Sequence, residues 1–482
     1  MNIQRNECCN FILKGIHLRC FVKVKSMNLN KTQLIAVAAV AIIAIAAVAW
    51  FVTSDSGPHK GNAEFGVAEF RLDVYGNANE DLVIDQKDVD LIKKIMNGDE
   101  TGSHPLADAN LDNKVDQKDV DLVNKIIAGQ DCTVNIICLN PAGEEIDMPV
   151  SFPVKHAVPY GSNISVPFIN AGAVEHCAGY MYKKTSYPGM NAILFNSDAV
   201  EIPISRQMTT AGWQQFIDLD AYLIESTGKG IDAFFVDHSL TTLDKSPVYR
   251  QDLEAAGIPE IRLATADPVE EINGTLLMGF LVNEEQGYKY ASKSIECYND
   301  ILDKLSVLDV EDQTTYICIT MSTYVCQNDS TFNTVPAYVG GTPYYTVNAE
   351  FAALYKGTSS LPMNDPEALS NFDDVGAIIC SNNLDFVTSD VNGTIIAEWE
   401  DGADHYKNLD CYEGRVLLNS ICPGAVKLAA VAAVLYPDLI SQDMLQDIYD
   451  EVASVAPSIN GHSFEEARAI ITYQDYVAAQ NA

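Results

Sequence analysis

The stretch NEEQGYKYASKSIECYNDILDKLSVL, residues 283–308, decides how this chain is read. It is the longest helix-like run after residue 132. It lacks Pro and has a single Gly, Gly287, close to its start, so it predicts one rigid helix of more than about six turns. The run lies near the middle of the region that follows residue 132 and separates two halves of similar size. Both halves alternate strand-like and helix-like patterns, as α/β layers do. Segments 134–139, 164–169, 192–195, 233–236, 315–320, 377–379 and 415–418 are rich in β-branched and aromatic residues and predict strands.

Upstream of these halves the chain repeats itself. Residues 76–98, GNANEDLVIDQKDVDLIKKIMNG, match residues 107–129, ADANLDNKVDQKDVDLVNKIIAG, at 13 of 23 positions, which marks two copies of one supersecondary unit. In the second copy Asp108, Asn110, Asp112, Lys114, Asp116 and Asp119 stand at positions 1, 3, 5, 7, 9 and 12 of a loop, the spacing at which an EF-hand-type turn wraps oxygens around Ca²⁺. Position 7 offers only its backbone carbonyl, so Lys114 is acceptable there. Asn113 at position 6 tolerates the left-handed backbone that the turn requires. The first copy keeps Asn77, Asn79, Asp81, Val83, Asp85 and Asp88. Its position 1 is uncharged and Leu82 stands at position 6, so it predicts weaker binding. Asp at position 12 and the absence of an evident helix before each loop resemble dockerin modules, so a small all-α dockerin-like module with two structural Ca²⁺ sites is expected over residues 69–130. That resemblance implies a cohesin-like docking partner. The role favoured for the module is a calcium-stiffened spacer that lifts the following domain off a membrane, with partner docking as the alternative.

Residues 34–52, LIAVAAVAIIAIAAVAWFV, are 19 consecutive apolar residues, enough to cross about 28 Å of hydrocarbon as a transmembrane helix. The leader 1–33 carries six basic side chains and one acid, whereas the rest of the chain is strongly acidic. The positive-inside rule therefore places a cytoplasmic leader inside and the bulk of the chain outside a cell membrane crossed once. A cleaved signal peptide competes with this reading through Ala47-Val48-Ala49. Beyond the anchor, Cys132 with Cys138 and Cys318 with Cys326 are disulfide candidates, with buried thiols as the alternative. Sequons at Asn163, Asn273, Asn328 and Asn392 fit an external location.

The chain has 482 residues and a formal net charge of −36, which repels a phosphate backbone and argues against nucleic acid as a partner. The patterns HExxH, GxSxG, GxxxxGK[ST] and GxGxxG do not occur, so binding is favoured over catalysis.

Three stretches resemble the ABC-importer substrate-binding proteins that carry iron-siderophores, haem and cobalamin, whose two α/β lobes are joined by one long helix. They are EEINGTLLMGFL at 270–281, VPAYVGGTPYY at 335–345 with its Gly-Gly turn, and 399–440 with a Gly-Arg-Val strand, expected to be exposed, and the helix AVKLAAVAAVLYPDLI. A calcium repeat between an anchor and such a domain resembles surface-anchored binding proteins of methanogenic archaea. The resemblance implies an N-terminal lobe at 133–282, a connecting helix at 283–308 and a C-terminal lobe at 309–482, with an ABC permease and its ATPase as partners and a metal chelate as ligand. A cleft between α/β lobes is lined from the C-terminal ends of strands. On that geometry the expected ligand contacts are Asn170, Arg206, Trp213, His238, Tyr324 and Asn382, with Trp213 and Tyr324 stacking on a planar macrocycle and Arg206 pairing with an anionic group. The competing function is a calcium-dependent surface adhesion or scaffold protein whose α/β domain holds no ligand.

Overall fold

At the centre of the protein, two helices fold back on each other: α6, Pro268–Val282, and α7, Gln286–Leu305. Asp267 starts α6 by accepting hydrogen bonds from the Val269 and Glu270 amides, and Pro268 supplies a fixed φ at the first helical position. Asn283, in the left-handed region at φ 60°, ends it. In α7 the residues Tyr290, Ala291, Ser294, Cys297, Tyr298, Ile301 and Leu305 form one buried stripe at helical spacing. The expected 283–308 helix is therefore three residues shorter at each end and is the second arm of a hairpin.

This computed structural model describes residues 11–13, 16–18, 61–184, 188–204, 208–238, 247–320, 324–326, 331–353, 360–362, 372, 374–382, 391–401, 412–419, 421–467 and 469–482. The chain divides into two compact units, Met1–His59 and Lys60–Ala482. In the first, strands Phe11–Leu13 and Ile16–Leu18 pair antiparallel. The apolar run 34–52 lies outside the described residues; among those described, no helix is long and apolar enough to cross a membrane.

In the second unit the repeat forms helices α1, Gln86–Asn97, and α2, Gln117–Ile127, each opened by a reciprocal capping box, Asp85 with Asp88 and Asp116 with Asp119. The first lobe follows with strands β1, Cys132–Leu139, β2, Glu145–Phe152, and β3, Ala157–Tyr160, helix α3, Ser162–Asn170, helix α4, Thr210–Thr227, strand β4, Ala233–Asp237, helix α5, Pro247–Ala256, and strand β5, Glu260–Leu263. The sheet order is β2-β1-β5-β4-β3, with β3, β4 and β5 parallel. After α7 come β6, Thr315–Thr320, β7, Tyr324–Cys326, α8, Thr331–Tyr338, β8, Ser360–Pro362, β9, Ala377–Asn382, α9, Val391–Glu400, β10, Val416–Asn419, α10, Gly424–Leu435, α11, Gln442–Ala453, β11, Ile470–Ile471, and α12, Tyr473–Gln480. Their sheet runs β8-β7-β6-β9-β10-β11 with β6, β9 and β10 parallel, and the short strand Thr342–Pro343 pairs with β6.

Two expected strands are helices: 164–169 lies in α3 and 192–195 is a single helical turn. The first is apolar on every side because it is buried on every side, which erases the period that separates helix from strand. A Cys132–Cys138 disulfide is ruled out, because both residues lie on β1 six positions apart, about 20 Å along an extended strand. Cys318 is a thiol directed at the Phe332 carbonyl, 3.8 Å away.

The repeat does not stand apart as a spacer. Val74 bridges to Ile136, the Tyr75 amide bonds the Asn135 carbonyl at 2.9 Å, and Leu72, Val74, Ala78, Val120 and Val123 share one apolar core with Val134 and Ile136. Residues 61–70 lead into it as an extended strap. Its backbone bonds Ser306, Leu308 and Ala337 carbonyls, and the Asn273 amide reaches the Glu69 carbonyl.

The hairpin closes tightly because α6 and α7 cross at two glycines. A Cβ on Gly279 would lie 2.7 Å from the Gly287 Cα and 2.9 Å from its nitrogen, with no flexible side chain to give way. Gly279→Val should therefore force the helices apart and lower unfolding free energy by about 1–3 kcal/mol, measured by urea denaturation. A variant as stable as the parent would show that the crossing is loose.

Candidate functional site

The ends of three parallel strands, β3 and β5 of the first lobe and β10 of the second, meet at one place. The Ser162 and Asn163 side chains follow β3, Thr265 follows β5, and Ile421, Cys422 and Lys427 follow β10; together with Glu271 from α6 they line a crevice of about 10 Å³, the space of roughly one water.

The crevice floor is a buried charge cluster. Glu271 is 2% exposed. Its carboxylate accepts from the Tyr290 hydroxyl at 2.8 and 3.0 Å, from the Gly424 amide at 3.0 Å and from the Thr275 hydroxyl at 3.3 Å. Gly424 is the first residue of α10, so the carboxylate of α6 sits on that helix's positive end. Backbones come equally close here: a Cβ on Gly424 would meet the Pro268 carbonyl at 2.2 Å. Burial pushes the Glu271 carboxyl up, while the nearby Lys427 charge and the three donors pull it back. The same burial pushes the Lys427 ammonium down against the attraction of Glu271.

Asp267 makes the second bridge between lobes. One oxygen caps α6, and the other accepts from the hydroxyls of Thr334, at 2.5 Å, and Tyr338, at 3.2 Å, both on α8. Asp237, at the end of β4, holds the Thr265 hydroxyl at 2.9 Å and the Ala266 amide at 3.1 Å, fixing the loop that carries Asp267.

The expected contacts are dispersed. Asn170 ends a helix, not a strand, and is fully buried; its Oδ1 accepts from the Ser458 amide at 3.1 Å and so ties the lobes together. Trp213 is 5% exposed on α4. Its indole donates to Asp252 at 2.8 Å and its ring packs on Phe216, Phe234 and Tyr249, so it belongs to the first lobe's core, not to a cleft wall. The stripe Trp213, Phe216, Leu219, Leu223 explains this, since it is the apolar face of one helix. His238 does follow β4. Its backbone amide bonds the Leu263 carbonyl, its ring rests beside Gly143, and its Nδ1 is buried without a hydrogen-bond partner among the described residues. Tyr324 opens β7 opposite Thr320, and Asn382 ends β9 opposite Asn419, so both backbones reach the crevice end of the second sheet. Arg206 lies outside the described residues. Arg415, of the Gly-Arg-Val strand expected to be exposed, is instead fully buried, its guanidinium 4.2 Å from the centre of the Trp399 ring. Asn273, a sequon, is buried in α6.

Sequence reading passed over Glu271, Tyr290, Asp267 and Lys427. A signal was present: Glu271 and Lys427 are isolated charges in otherwise apolar helical runs, and a charge on a buried face requires a partner.

In the repeat, each position-12 Asp closes its loop in the same way. Asp88 accepts from the Asn79 and Asp85 amides, and Asp119 from those of Asn110 and Asp116. Asn113 has φ 66°, as position 6 requires. Asp108 holds the amides of Asp112 and Asn113. In the first loop Asn77 is fully buried, its amide donating to the Leu72 and Asp81 carbonyls while its Oδ1 has no partner among the described residues. Lysines lean over both loops, Lys118 within 2.5 Å of Asp112 and Lys87 within 3.3 Å of Asp85.

No family model and no curated protein matches the chain. Among solved structures it is similar to the TroA-like periplasmic binding protein FepB of Veillonella parvula, at 13% identity and TM-score 0.46 over 65% of this chain and 95% of that one. It is also similar to Helicobacter pylori CeuE with Ni(II) bound, at 9% and 0.46 over 69% and 98%. A third similar structure is an ABC transporter solute-binding protein from Sulfurospirillum deleyianum, at 12% and 0.47 over 69% and 98%.

Removing the Glu271 carboxylate leaves Lys427, Tyr290 and the start of α10 buried without their acceptor. Glu271→Ala should cost about 3–5 kcal/mol of unfolding free energy, and Tyr290→Phe about 1–3 kcal/mol. Urea denaturation showing less than about 1 kcal/mol for Glu271→Ala would contradict a structural role for the cluster.

Proposed function

We propose that this protein is the extracytoplasmic substrate-binding component of an ABC importer, capturing a metal chelate such as an iron-siderophore, haem or cobalamin and delivering it to a permease driven by its ATPase. The observation that carries this reading is the meeting of the strand ends of two α/β lobes over Glu271, the position where open α/β sheets bind ligands. The crevice has room for about one water, so ligand entry requires the lobes to part above the helical hairpin. His238, Tyr324, Asn382 and Arg206 are the proposed ligand contacts; Trp213 and Asn170 are withdrawn, since the core and the lobe joint already use them. Binding is the whole activity in this reading, and residues 34–52 hold the protein at the cell membrane with its body outside.

The test begins with membranes and natively purified protein. The chain should fractionate with membranes and carry a chelate visible by mass spectrometry and absorbance. If nothing co-purifies and no member of a panel of ferric siderophores, haem and cobalamins binds, the scaffold reading replaces this one; recovery in the soluble fraction removes the anchor alone.

The repeat is proposed to hold two structural Ca²⁺ ions. Asp108, Asn110, Asp112, Asp116, Asp119 and the Lys114 carbonyl would hold one, and Asn77, Asn79, Asp81, Asp85, Asp88 and the Val83 carbonyl the other. An all-oxygen donor set suits a hard cation, and the buried Asn77 Oδ1 without a partner fits a position-1 ligand. Because the module is part of the first lobe's core, calcium should stabilise that lobe by mass action. Calorimetry should show two sites, the one at 108–119 tighter and lost in Asp108→Ala. Two unchanged sites in that variant would reject the assignment.

A further inference from the structure

The hairpin of β6 and β7 brings two cysteines together. Ile319 pairs with Val325 and Thr320 with Tyr324 across antiparallel strands, and the same register carried one residue further sets Cys318 opposite Cys326. Both side chains lie on one face of the sheet. They pack into the large core with Tyr316 and Ile379, whereas Ile319 and Val325 pack into the separate core on the other side. Residues directly opposite on antiparallel strands lie about 4.5 or about 5.5 Å apart at Cα, inside the span of about 4.4–6.8 Å that a disulfide bridges. Among the described residues of β9, the strand on the other side of β6, no third thiol reaches this face. Cys380 stands opposite Ile319 and belongs to the other core.

We propose that Cys318 and Cys326 are a redox pair that closes into a cross-strand disulfide. In the structure both are thiols, and that of Cys318 is directed at the Phe332 carbonyl of α8. Closure takes a second disulfide as oxidant, either a small one such as oxidised glutathione or that of a thiol oxidoreductase. One cysteine thiolate attacks a sulfur of the oxidant and expels a thiolate. The other then attacks the protein sulfur of the mixed disulfide and expels the second. Both cysteines give up a proton, and the two electrons they lose reduce the oxidant to two thiols.

Each cysteine is 1% exposed, and burial pushes the Cys318 thiol well up, so exchange requires the hairpin to open during folding or by local unfolding. The strand that must move is suited to this. β7 is 3 residues long and is paired on its outer side by the equally short β8. The bridge ties β7, with Tyr324 at its start, to the interior strand β6. It also turns the Cys318 sulfur away from α8, the helix whose Thr334 and Tyr338 hold Asp267 at the lobe joint. The pair is independent of which ligand the crevice takes.

The test equilibrates the full chain in detergent with glutathione buffers from fully reduced to fully oxidised, in urea below the unfolding midpoint so that the hairpin opens. Remaining thiols are trapped with N-ethylmaleimide and mapped by mass spectrometry. In oxidising buffer Cys318 and Cys326 should lose the label together, in a peptide two hydrogens lighter than its reduced form. The oxidised parent should also unfold at a higher urea midpoint than the reduced parent, and Cys326→Ser should abolish that difference. The thiol map needs no variant, so it decides the matter even if the substitution misfolds. Two cysteines still labelled in the most oxidising buffer, either one bridged to a different cysteine, or a midpoint difference that survives in Cys326→Ser overturns the proposal.

Discussion

One buried carboxylate organises this molecule. Glu271 reaches out of the first lobe's last helix and is satisfied by groups from three other places: the tyrosine of the adjoining hairpin arm, the opening turn of α10 in the second lobe, and a lysine one turn further along that helix. A charge taken out of water this completely is tolerable only if every partner is in position. The joint between lobes is therefore specified by chemistry as well as by shape. The glycines at 279, 287 and 424 serve the same end, since the donors reach the carboxylate only where the backbones can touch.

Much of the fold was legible because short β-branched and aromatic runs and one-sided helical stripes leave a mark. Strands 233–237 and 315–320 are buried runs bounded by turns, and α7 shows its stripe openly. The mark fails where a helix is buried on every side. In α3, Ile164 to Asn170 are all buried, so ISVPFIN carries no period and its β-branched residues mislead. The site was less legible still. Trp213 and Asn170 looked like ligand contacts because large and polar groups near a presumed cleft invite that role, yet one fills a core and the other fastens one lobe to the other. Glu271 and Lys427 gave the stronger signal and lie more than 150 residues apart, a distance across which sequence shows need but not partner.

The repeat teaches a related point. Its internal symmetry was plain in the sequence, and its loops close alike at Asp88 and Asp119. What the symmetry hid is that Val74 and Tyr75 pair with β1, so the module is a wall of the first lobe. A motif identified by its metal spacing says little about its outer surface, which is where packing is decided.

The strap at residues 61–70 has a mechanical consequence. It is stitched to the second lobe through Ser306, Leu308 and Ala337 before the chain enters the repeat on the first. A pull delivered through the preceding chain therefore meets the Gly61–Ser306 hydrogen bond first, then those of Asn62 with Asp309 and Val310, then Ala63–Leu308, then those of Glu64 with Gln313, then Gly66–Ala337. The bonds load one at a time, as in opening a zip, and not all together. Such a seam yields to small forces at its leading end while the apolar contacts behind it remain intact. Tension on the chain ahead of residue 61 would thus lengthen that segment before it disturbed either lobe.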